Sequence, residues 1–300
     1  MITLENKFLR VNISSGRSMR IESYFDKIRN KEWVWKPENS SGDPNESLDL
    51  KASFDPHWAG GWEEVFPNDA PCEINGQQLV DHGEVWRRNW ELGKSNERSV
   101  TGHFTCETLP LELKKTISLH ESKPEVMLSY EIKNLSSESH PYILKFHPAL
   151  KIEEGDRFVL PQPMMKPIAL AFSRLLSDAN EVPFPTGRNN QGGVISIDQV
   201  KKNDGYSREF VRLSQLKEGK CSLYSHQTNT ELLMEFPLKE MPYVWLFQSF
   251  GGFMDHYVAM LEPTNAAHYD LAQLYQEKRA DLIEGHGKKS FDIKISVREL

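Results

Sequence analysis

Three short stretches of this 300-residue sequence contain side chains suited to proton transfer: Asp81–Glu84, Phe146–Pro148 and Met260–Pro263. They supply two histidines, His82 and His147, and one carboxylate, Glu262. Imidazole and carboxyl groups are common general acids and bases, because their pKa values lie near neutrality or are easily moved there. Such a trio could pass a proton between two oxygens of one small polyhydroxylated molecule.

Glu262 follows the apolar run Tyr257–Leu261 and precedes Pro263, which places it where the interior of a strand meets a loop. Burial there would raise its pKa and make it a better base near neutrality. The alternative is a structural role, since ion pairs that only support the fold also perturb carboxylates. Glu262 would then turn toward solvent or pair with an arginine such as Arg88.

His147 shares a strand face with Ile143 and Lys145 if the alternation of the strand continues. The following Pro148 removes a backbone donor and ends the strand pairing, which exposes the ring at an edge or cleft. The alternative is a structural role, since a single histidine in a strand is more often a structural residue than a catalytic one.

The segment around His82 has a mixed polar and aromatic character. If it is extended, one face carries His82, Glu84, Trp86, Arg88 and Trp90. A sugar offers an apolar C–H face for stacking and a rim of hydroxyl groups for hydrogen bonds, and such a face suits both. An exposed strand with cross-strand charge pairs explains the same pattern.

Period-two alternation predicts the elements that must position these groups. Leu9, Val11 and Ile13 fall on one side of the first strand, and the segments 113–119, 126–132 and 291–297 repeat the pattern. Turn-forming clusters separate them at 39–45, at Asn75-Gly76 and at 186–190. A helix is predicted over His268–Ile283, and a weaker one over Pro167–Ala179. The expected fold is a mainly β protein, one large antiparallel sandwich spanning residues 1–300 with few short helices.

Composition limits the classes of function. The net charge is −7, and acidic and basic residues are interspersed along the sequence. The sequence has no basic stripe that could neutralise a phosphate backbone, so a nucleic-acid partner is not expected. Three cysteines without close spacing argue against a disulfide framework and predict a reducing compartment, the cytoplasm. No apolar run approaches about 18 residues, and residues 1–14 alternate like a strand, so neither a membrane span nor a signal peptide is expected.

Other catalytic motifs are missing from the sequence. The HExxH motif, which would indicate a zinc site, is absent. Neither Gly60-Gly61 nor Gly251-Gly252 matches a nucleotide-binding glycine pattern. No GxSxG motif provides a nucleophilic serine. Two histidines and a glutamate could hold a zinc ion with an open position, but no sequence motif supports a catalytic zinc or a nucleotide cofactor.

Four landmarks resemble, in order, those of the aldose 1-epimerase (galactose mutarotase-like) family. They are Trp58–Asn68, Asp81–Trp86 with Trp90, Phe146–Leu150 with Leu160-Pro161, and Gly251-Gly252 followed by Tyr257–Pro263. The resemblance spans nearly the whole chain and implies a large antiparallel β-supersandwich. It implies a small-molecule sugar as substrate and no cofactor or metal. We expect a monomer or a homodimer.

The resemblance also implies roles for the three groups. Glu262 matches the general base that takes the proton from the anomeric hydroxyl, and His147 matches the acid that protonates the ring oxygen. His82 matches a second histidine that hydrogen-bonds the sugar near that oxygen. Candidate substrate-binding residues are Trp86, Arg88, Glu64 and Trp245. The family's hydroxyl-orienting aspartate has no clear counterpart, since neither Asp198 nor Asp204 has a matching context.

One departure bears on the substrate. Hexose-6-phosphate mutarotases of this superfamily tend to read His-Gly-Phe-Ala-Arg at the first histidine, whereas Trp86 occupies the arginine's place here. A neutral aldohexose is therefore expected, with the 6-phosphate as an alternative through Arg88. A non-catalytic sugar-binding protein is a second alternative. A glycosidase, pairing Glu262 with Glu63, Glu64 or Glu84, is the third.

Overall fold

A computed structural model of the chain describes residues 1–38 and 46–300, and strands dominate both segments. The strands are β1 Ile2–Glu5, β2 Leu9–Ile13, β3 Ile21–Asp26, β4 Lys31–Glu32, β5 Trp62–Val65, β6 Cys72–Ile74, β7 Gln77–Leu79, β8 Glu91–Asn96, β9 Ser99–Thr105, β10 Leu111–Leu119, β11 Glu125–Asn134, β12 His140–Tyr142, β13 Lys145–Pro148, β14 Arg157–Val159, β15 Met164–Pro167, β16 Val182–Pro183, β17 Thr186–Arg188, β18 Val194–Ser196, β19 Arg208–Ser214, β20 Lys220–Ser225, β21 Thr230–Glu235, β22 Tyr243–Phe250, β23 Tyr257–Thr264, β24 Asp281–Ile283 and β25 Lys288–Glu299. The helical elements are a 3-10 turn, Asp55–His57, and the α-helix α1, Leu271–Gln276. The turn predicted at 39–45 lies outside the described residues.

Two large antiparallel sheets form the sandwich. The first has 11 strands in the order β1-β2-β3-β5-β13-β23-β22-β19-β15-β16, with β4 added beside β3. The second has 8 strands in the order β14-β20-β21-β25-β11-β10-β9-β8. The prediction of a mainly β, antiparallel sandwich is confirmed, while that of one domain over residues 1–300 stays a prediction.

Alternation of apolar residues explains why the second sheet packs on the first. Along β10, buried and half-buried residues alternate strictly, and β11 follows the same rule. Their register pairs Leu113 with Ile132 and Ile117 with Leu128, so apolar side chains meet on one face. That face buries its side chains against the first sheet, which is the main source of stability in such a sandwich.

The helix predictions are largely wrong. Of His268–Ile283 only Leu271–Gln276 is helical: Asp270 caps its start by accepting a hydrogen bond from the backbone N–H of Gln273. The chain then leaves the helix and pairs as β24 with β12, so sheet pairing overrides the helical pattern. Over Pro167–Ala179 no helix forms, because the backbone amides of Arg174 and Leu176 bond to Arg208 and Glu209 of β19.

A buried ion pair joins the two sheets. Glu64 of β5 accepts hydrogen bonds from Lys115 Nζ at 2.7 Å and from the Tyr130 hydroxyl at 2.7 Å. Both charged side chains are only 1% exposed. A buried charge is tolerated only when it is paired and hydrogen-bonded. Glu64 therefore serves the contact between sheets.

Among the described residues, no helix is both long enough and apolar enough to cross a lipid bilayer.

Replacing Lys115 by Met is expected to lower the free energy of unfolding by about 3–5 kcal/mol, because the Glu64 carboxylate would stay buried without its cation. Urea denaturation followed by circular dichroism measures this. The matched control is Lys114→Met, since Lys114 is half-buried and faces Glu131 across the strands; its loss should stay within about 1 kcal/mol. Equal losses for the two variants would contradict the role given to the buried pair.

Candidate active site

The strand register of the first sheet brings the key side chains onto one face. Lys145 pairs with Thr264, and Leu150 forms a bridge with Ala259, so the intervening register sets His147 beside Glu262. On the other side of β23, Glu262 pairs with Trp245 of β22. Directly opposed residues of an antiparallel pair project to the same face. This face lies opposite the one that carries Glu64 toward the second sheet.

A cavity of about 280 Å³ opens on this face. One half of its lining is polar and includes Asp69, Asp81, His82, Lys145, His147 and Glu262. The other half is aromatic and includes Phe54, Trp58, Phe172, Phe210, Trp245 and Phe247. Both an apolar surface and a set of directional polar groups are thus available to one small ligand.

Glu262 lines the cavity and is fully buried. Its Oε2 is 3.1 Å from Lys145 Nζ, and its Oε1 is 3.9 Å from His147 Nε2. Oε1 accepts no hydrogen bond from the described residues. Burial raises the pKa of Glu262 to about 6, although the Lys145 charge opposes the rise. The carboxylate does not turn to solvent, and Arg88 pairs with Glu107 at 3.0 Å instead.

Lys145 is a polar residue of the site that sequence reasoning did not propose. Its ammonium lies 2.6 Å from Asp69 Oδ2 and 3.7 Å from the centre of the Trp245 ring. Burial by itself would lower the pKa of Lys145, but the charges of Asp69 and Glu262 outweigh burial and raise it. The only available signal was the alternation that places Lys145 on the face of His147.

His147 is almost completely enclosed. Its ring lies 5.4 Å from the Phe54 ring and 6.2 Å from the Trp58 ring, and its Nδ1 has no hydrogen-bond partner among the described residues. Burial holds the pKa of His147 well below its ordinary value, and the neighbouring charges of Lys145 and His82 lower it further. The imidazole is therefore neutral at physiological pH.

His82 has different surroundings. Its Nδ1 is 2.8 Å from Asp81 Oδ1, its Nε2 is 3.9 Å from Asp69 Oδ1, and its ring stacks on Phe54 at 4.1 Å. Burial alone would lower the pKa of His82. The hydrogen bond to Asp81 and the charges of Asp69 and Asp81 outweigh burial and raise it above its ordinary value.

The segment that carries His82 is a series of turns, so the predicted extended face over residues 82–90 is wrong. His82 and Gly83 have positive φ angles of 55° and 66°. A Cβ at Gly83 would lie 2.1 Å from the Phe66 carbonyl oxygen, so only glycine fits there. Glu84 is buried and accepts hydrogen bonds from the backbone amides of Glu107 and Thr108.

Arg87 holds this turn in place. It is fully buried and donates hydrogen bonds to five backbone carbonyl oxygens, those of Asp49, Leu50, Ala52, Asp81 and Gly83. The guanidinium thereby ties the loop before the 3-10 turn to the turn that carries His82. A planar fork of five N–H groups makes this possible, and an ammonium cannot reproduce it.

The structure brings Glu262, His147, His82 and Trp245 together around the cavity, while three other predicted residues do not line it. Glu64 faces the second sheet. Trp86 lies behind Phe54 with its ring edge-on at 4.9 Å, and Arg88 points to Glu107. Asp69, which sequence reasoning missed, lines the cavity, whereas Asp198 and Asp204 bond to Ser196 and Ser207 elsewhere.

In the described part of the chain, no group of three or more His, Cys, Asp or Glu side chains is arranged to hold a metal ion.

No family model and no curated protein matches this sequence. Several solved structures are similar. A protein from Synechocystis sp. PCC 6803 shares 14% identity at a TM-score of 0.73, covering 100% of this chain and 96% of its own. A galactose mutarotase-like protein from Lactobacillus casei shares 17% identity at a TM-score of 0.69, covering 99% and 100%. A Klebsiella pneumoniae protein provisionally named aldose 1-epimerase shares 14% identity at a TM-score of 0.74, covering 97% and 77%.

These likenesses show the class of fold. The chain has the galactose mutarotase-like fold, and the resemblance drawn from its sequence is confirmed at that level.

Replacing Arg87 by Lys is expected to cost about 1–3 kcal/mol of unfolding free energy, because several buried carbonyl oxygens would lose their donors. Urea denaturation and limited proteolysis near residues 49–52 measure the loss. Arg88→Lys is the matched control: Arg88 is half-exposed, and a lysine can keep the ion pair with Glu107. Identical stability of the two variants would remove Arg87 from its organising role.

Proposed function

We propose that this protein is a cofactor-independent aldose 1-epimerase that interconverts the α and β anomers of a neutral hexose or a closely related aldose. The observation that carries the proposal is the meeting of Glu262 with two imidazoles, His147 and His82, around one cavity. Fold likeness alone does not establish chemistry, and the geometry of the site supplies the support for this reaction.

The reaction needs one base and one acid. Glu262 takes the proton from the hydroxyl group on C1, and an imidazole donates a proton to the ring oxygen as the C1–O5 bond breaks. Rotation about C1–C2 in the open aldehyde, followed by the reverse transfers, closes the ring with the other configuration. The two oxygens are bonded to the same carbon, and Glu262 lines one cavity with both imidazoles, so a single sugar can contact a base and an acid there.

The size and lining of the cavity favour a single monosaccharide. Its volume of about 280 Å³ lies near the lower end of ligand pockets. The aromatic half, with Phe172, Phe210 and Phe247 within 6.3 Å of one another, can cover the C–H face of a pyranose. The polar half offers Asp69 and Lys145 to its hydroxyl groups.

Charge favours a neutral sugar over a phosphorylated one. The lining contains four carboxylates, Asp55, Asp69, Asp81 and Glu262, against one ammonium, Lys145. That ammonium is already paired with two of the four. Among the residues that the structure describes, no arginine lines the cavity. The lining stays net negative even when His82 is protonated, so it would repel an anionic substrate.

The glycosidase alternative lacks support in the site. It requires a second carboxylate beside Glu262 from Glu63, Glu64 or Glu84, and none of these three lines the cavity.

Replacing Glu262 by Gln is expected to reduce kcat/KM by about 10²–10⁴-fold, because the amide cannot accept the anomeric proton. Polarimetry or NMR exchange spectroscopy of freshly dissolved glucose and galactose measures the rate, and their 6-phosphates should react more slowly. A thermal shift with saturating sugar checks that the variant still binds. If the wild type binds sugar without accelerating exchange, the non-catalytic alternative is correct. Equal rates for both proteins would remove Glu262 from the reaction.

The activity is expected to fall on the acid side of neutrality. Only the ionised form of Glu262 accepts a proton, and its pKa is raised to about 6. Below that pH the carboxyl group is protonated, so kcat/KM should decrease about tenfold per pH unit. NMR exchange rates at several pH values measure this decrease of kcat/KM on the acid side. A rate that stays constant to well below pH 5 would contradict a base with this pKa.

A further inference from the structure

The two imidazoles of the cavity are close but not equivalent. The ring centres of His82 and His147 are 6.1 Å apart, and the rings are edge-to-face. The His82 side chain is 24% exposed, whereas that of His147 is 4% exposed. The proposed reaction needs one protonated donor that regains its proton in each cycle, so the charged neighbours of each ring decide which of them qualifies.

Each nitrogen of His82 faces a carboxylate. Nδ1 forms a hydrogen bond of 2.8 Å with Asp81 Oδ1. This contact orients the ring so that Nε2 faces Asp69 Oδ1, 3.9 Å away. Asp81 is itself fixed, because its Oδ2 accepts a hydrogen bond from the Phe54 backbone amide at 2.7 Å. A carboxylate on Nδ1 sets the orientation of an imidazole and stabilises its protonated form.

Within the described part of the chain, His147 donates no hydrogen bond to a carboxylate that would stabilise a charge on its ring. Its Nε2 is 3.9 Å from Glu262, the same distance that separates the His82 Nε2 from Asp69, and both of these carboxylates are paired with Lys145. The two rings differ at Nδ1, which in His82 faces Asp81 and in His147 has no partner among the described residues. Lys145 lies two residues away on the same face of β13. A nearby cation in a buried site disfavours a second positive charge.

Resting on the proposed function, we infer that His82, oriented by Asp81, delivers the proton to the ring oxygen, while His147 serves as a neutral hydrogen-bonding partner of the sugar. This exchanges the two roles that the family resemblance implies. The protonation states support it, since the pKa of His82 is raised and that of His147 is well below its ordinary value.

The proton balance closes without another reactant. In ring opening, the C1 hydroxyl gives its proton to Glu262, and the protonated His82 gives its Nε2 proton to O5 as the C1–O5 bond breaks. Glu262 is then neutral and His82 is neutral. In ring closure, His82 takes the proton of the C5 hydroxyl, O5 attacks C1, and Glu262 returns its proton to O1.

All charged groups around His82 enter its titration. Asp55 of the 3-10 turn, Asp69 of the loop before β6, Asp81 of its own turn, Lys145 and His147 of β13, and Glu262 of β23 face it. Lys145 is the only fixed cation in this set. The carboxylates dominate, and Asp81 is the one bonded to the ring.

The test separates the two imidazoles through the alkaline limb of the pH profile. Asp81→Asn keeps the shape and the acceptor oxygen but removes the charge, so the alkaline limb of kcat/KM should move toward neutral pH by about one unit. His82→Gln should reduce kcat/KM by about 10²–10⁴-fold and abolish the alkaline limb of its pH profile. His147→Gln should reduce kcat/KM only about tenfold and keep the alkaline limb, because the substitution removes a hydrogen bond but no proton donor.

NMR titration of the histidine Cε1–H signals of the unliganded protein gives a readout independent of activity. His82 should titrate above its ordinary range and shift downward in Asp81→Asn, while His147 should stay neutral around pH 7. A His147 that titrates above His82 overturns the inference. So does an alkaline limb that survives in His82→Gln and vanishes in His147→Gln. A wild type without any epimerase activity, in contrast, refutes the proposed function.

Discussion

The register between β13 and β23 is the constraint on which the whole site depends. Lys145 opposite Thr264 and Leu150 opposite Ala259 fix it, and it sets His147 next to Glu262. Because side chains alternate along a strand, a slip of one residue would turn His147 into the sandwich and replace it by an apolar neighbour. The packing of the two sheets, including the buried pair of Glu64 and Lys115, is what makes such a slip costly.

Within the site, neighbouring charged groups influence one another's protonation states. Lys145 lies between Asp69 and Glu262, and it keeps the latter carboxylate largely ionised near neutral pH despite complete burial. The same ammonium disfavours a proton on His147. Lys145 lowers the pKa of His82 as well, but the hydrogen bond to Asp81 and the charges of Asp81 and Asp69 outweigh this effect and that of burial. The protonation pattern of the site therefore follows from burial together with the placement of Lys145 and the carboxylates around it.

The parts of the molecule that depend on local pattern could be predicted from the sequence. Alternation identified the strands, and the apolar run before Glu262 correctly indicated a buried carboxylate with a raised pKa. Alternation alone could not tell which of Glu63 and Glu64 faces the cavity side, since adjacent residues of a strand point in opposite directions. Asp69 was missed because it meets Lys145 only through tertiary structure, 76 residues apart in the chain.

The prediction of an extended segment over residues 82–90 and the two helix predictions were wrong for a related reason. The residues 82–90 alternate as a strand does, but Gly83 permits a positive φ angle and Arg87 binds carbonyl oxygens brought from residues 49–52. Likewise, β24 forms because β12 is available to pair with it, although the local sequence favours a helix. In each case a partner distant in sequence decided the local conformation, and no local signal announces such a partner.

The position of Lys145 has one more consequence for the proposed reaction, in which an aldose opens in the cavity. A free lysine amine beside an aldehyde condenses with it to a Schiff base, which would trap the sugar on the protein. Two carboxylates, 2.6 and 3.1 Å from the nitrogen, keep Lys145 protonated, so it has no lone pair to attack the carbonyl carbon. Under the proposed function, the contacts that hold Lys145 beside Glu262 would therefore also prevent the open-chain sugar from modifying this lysine.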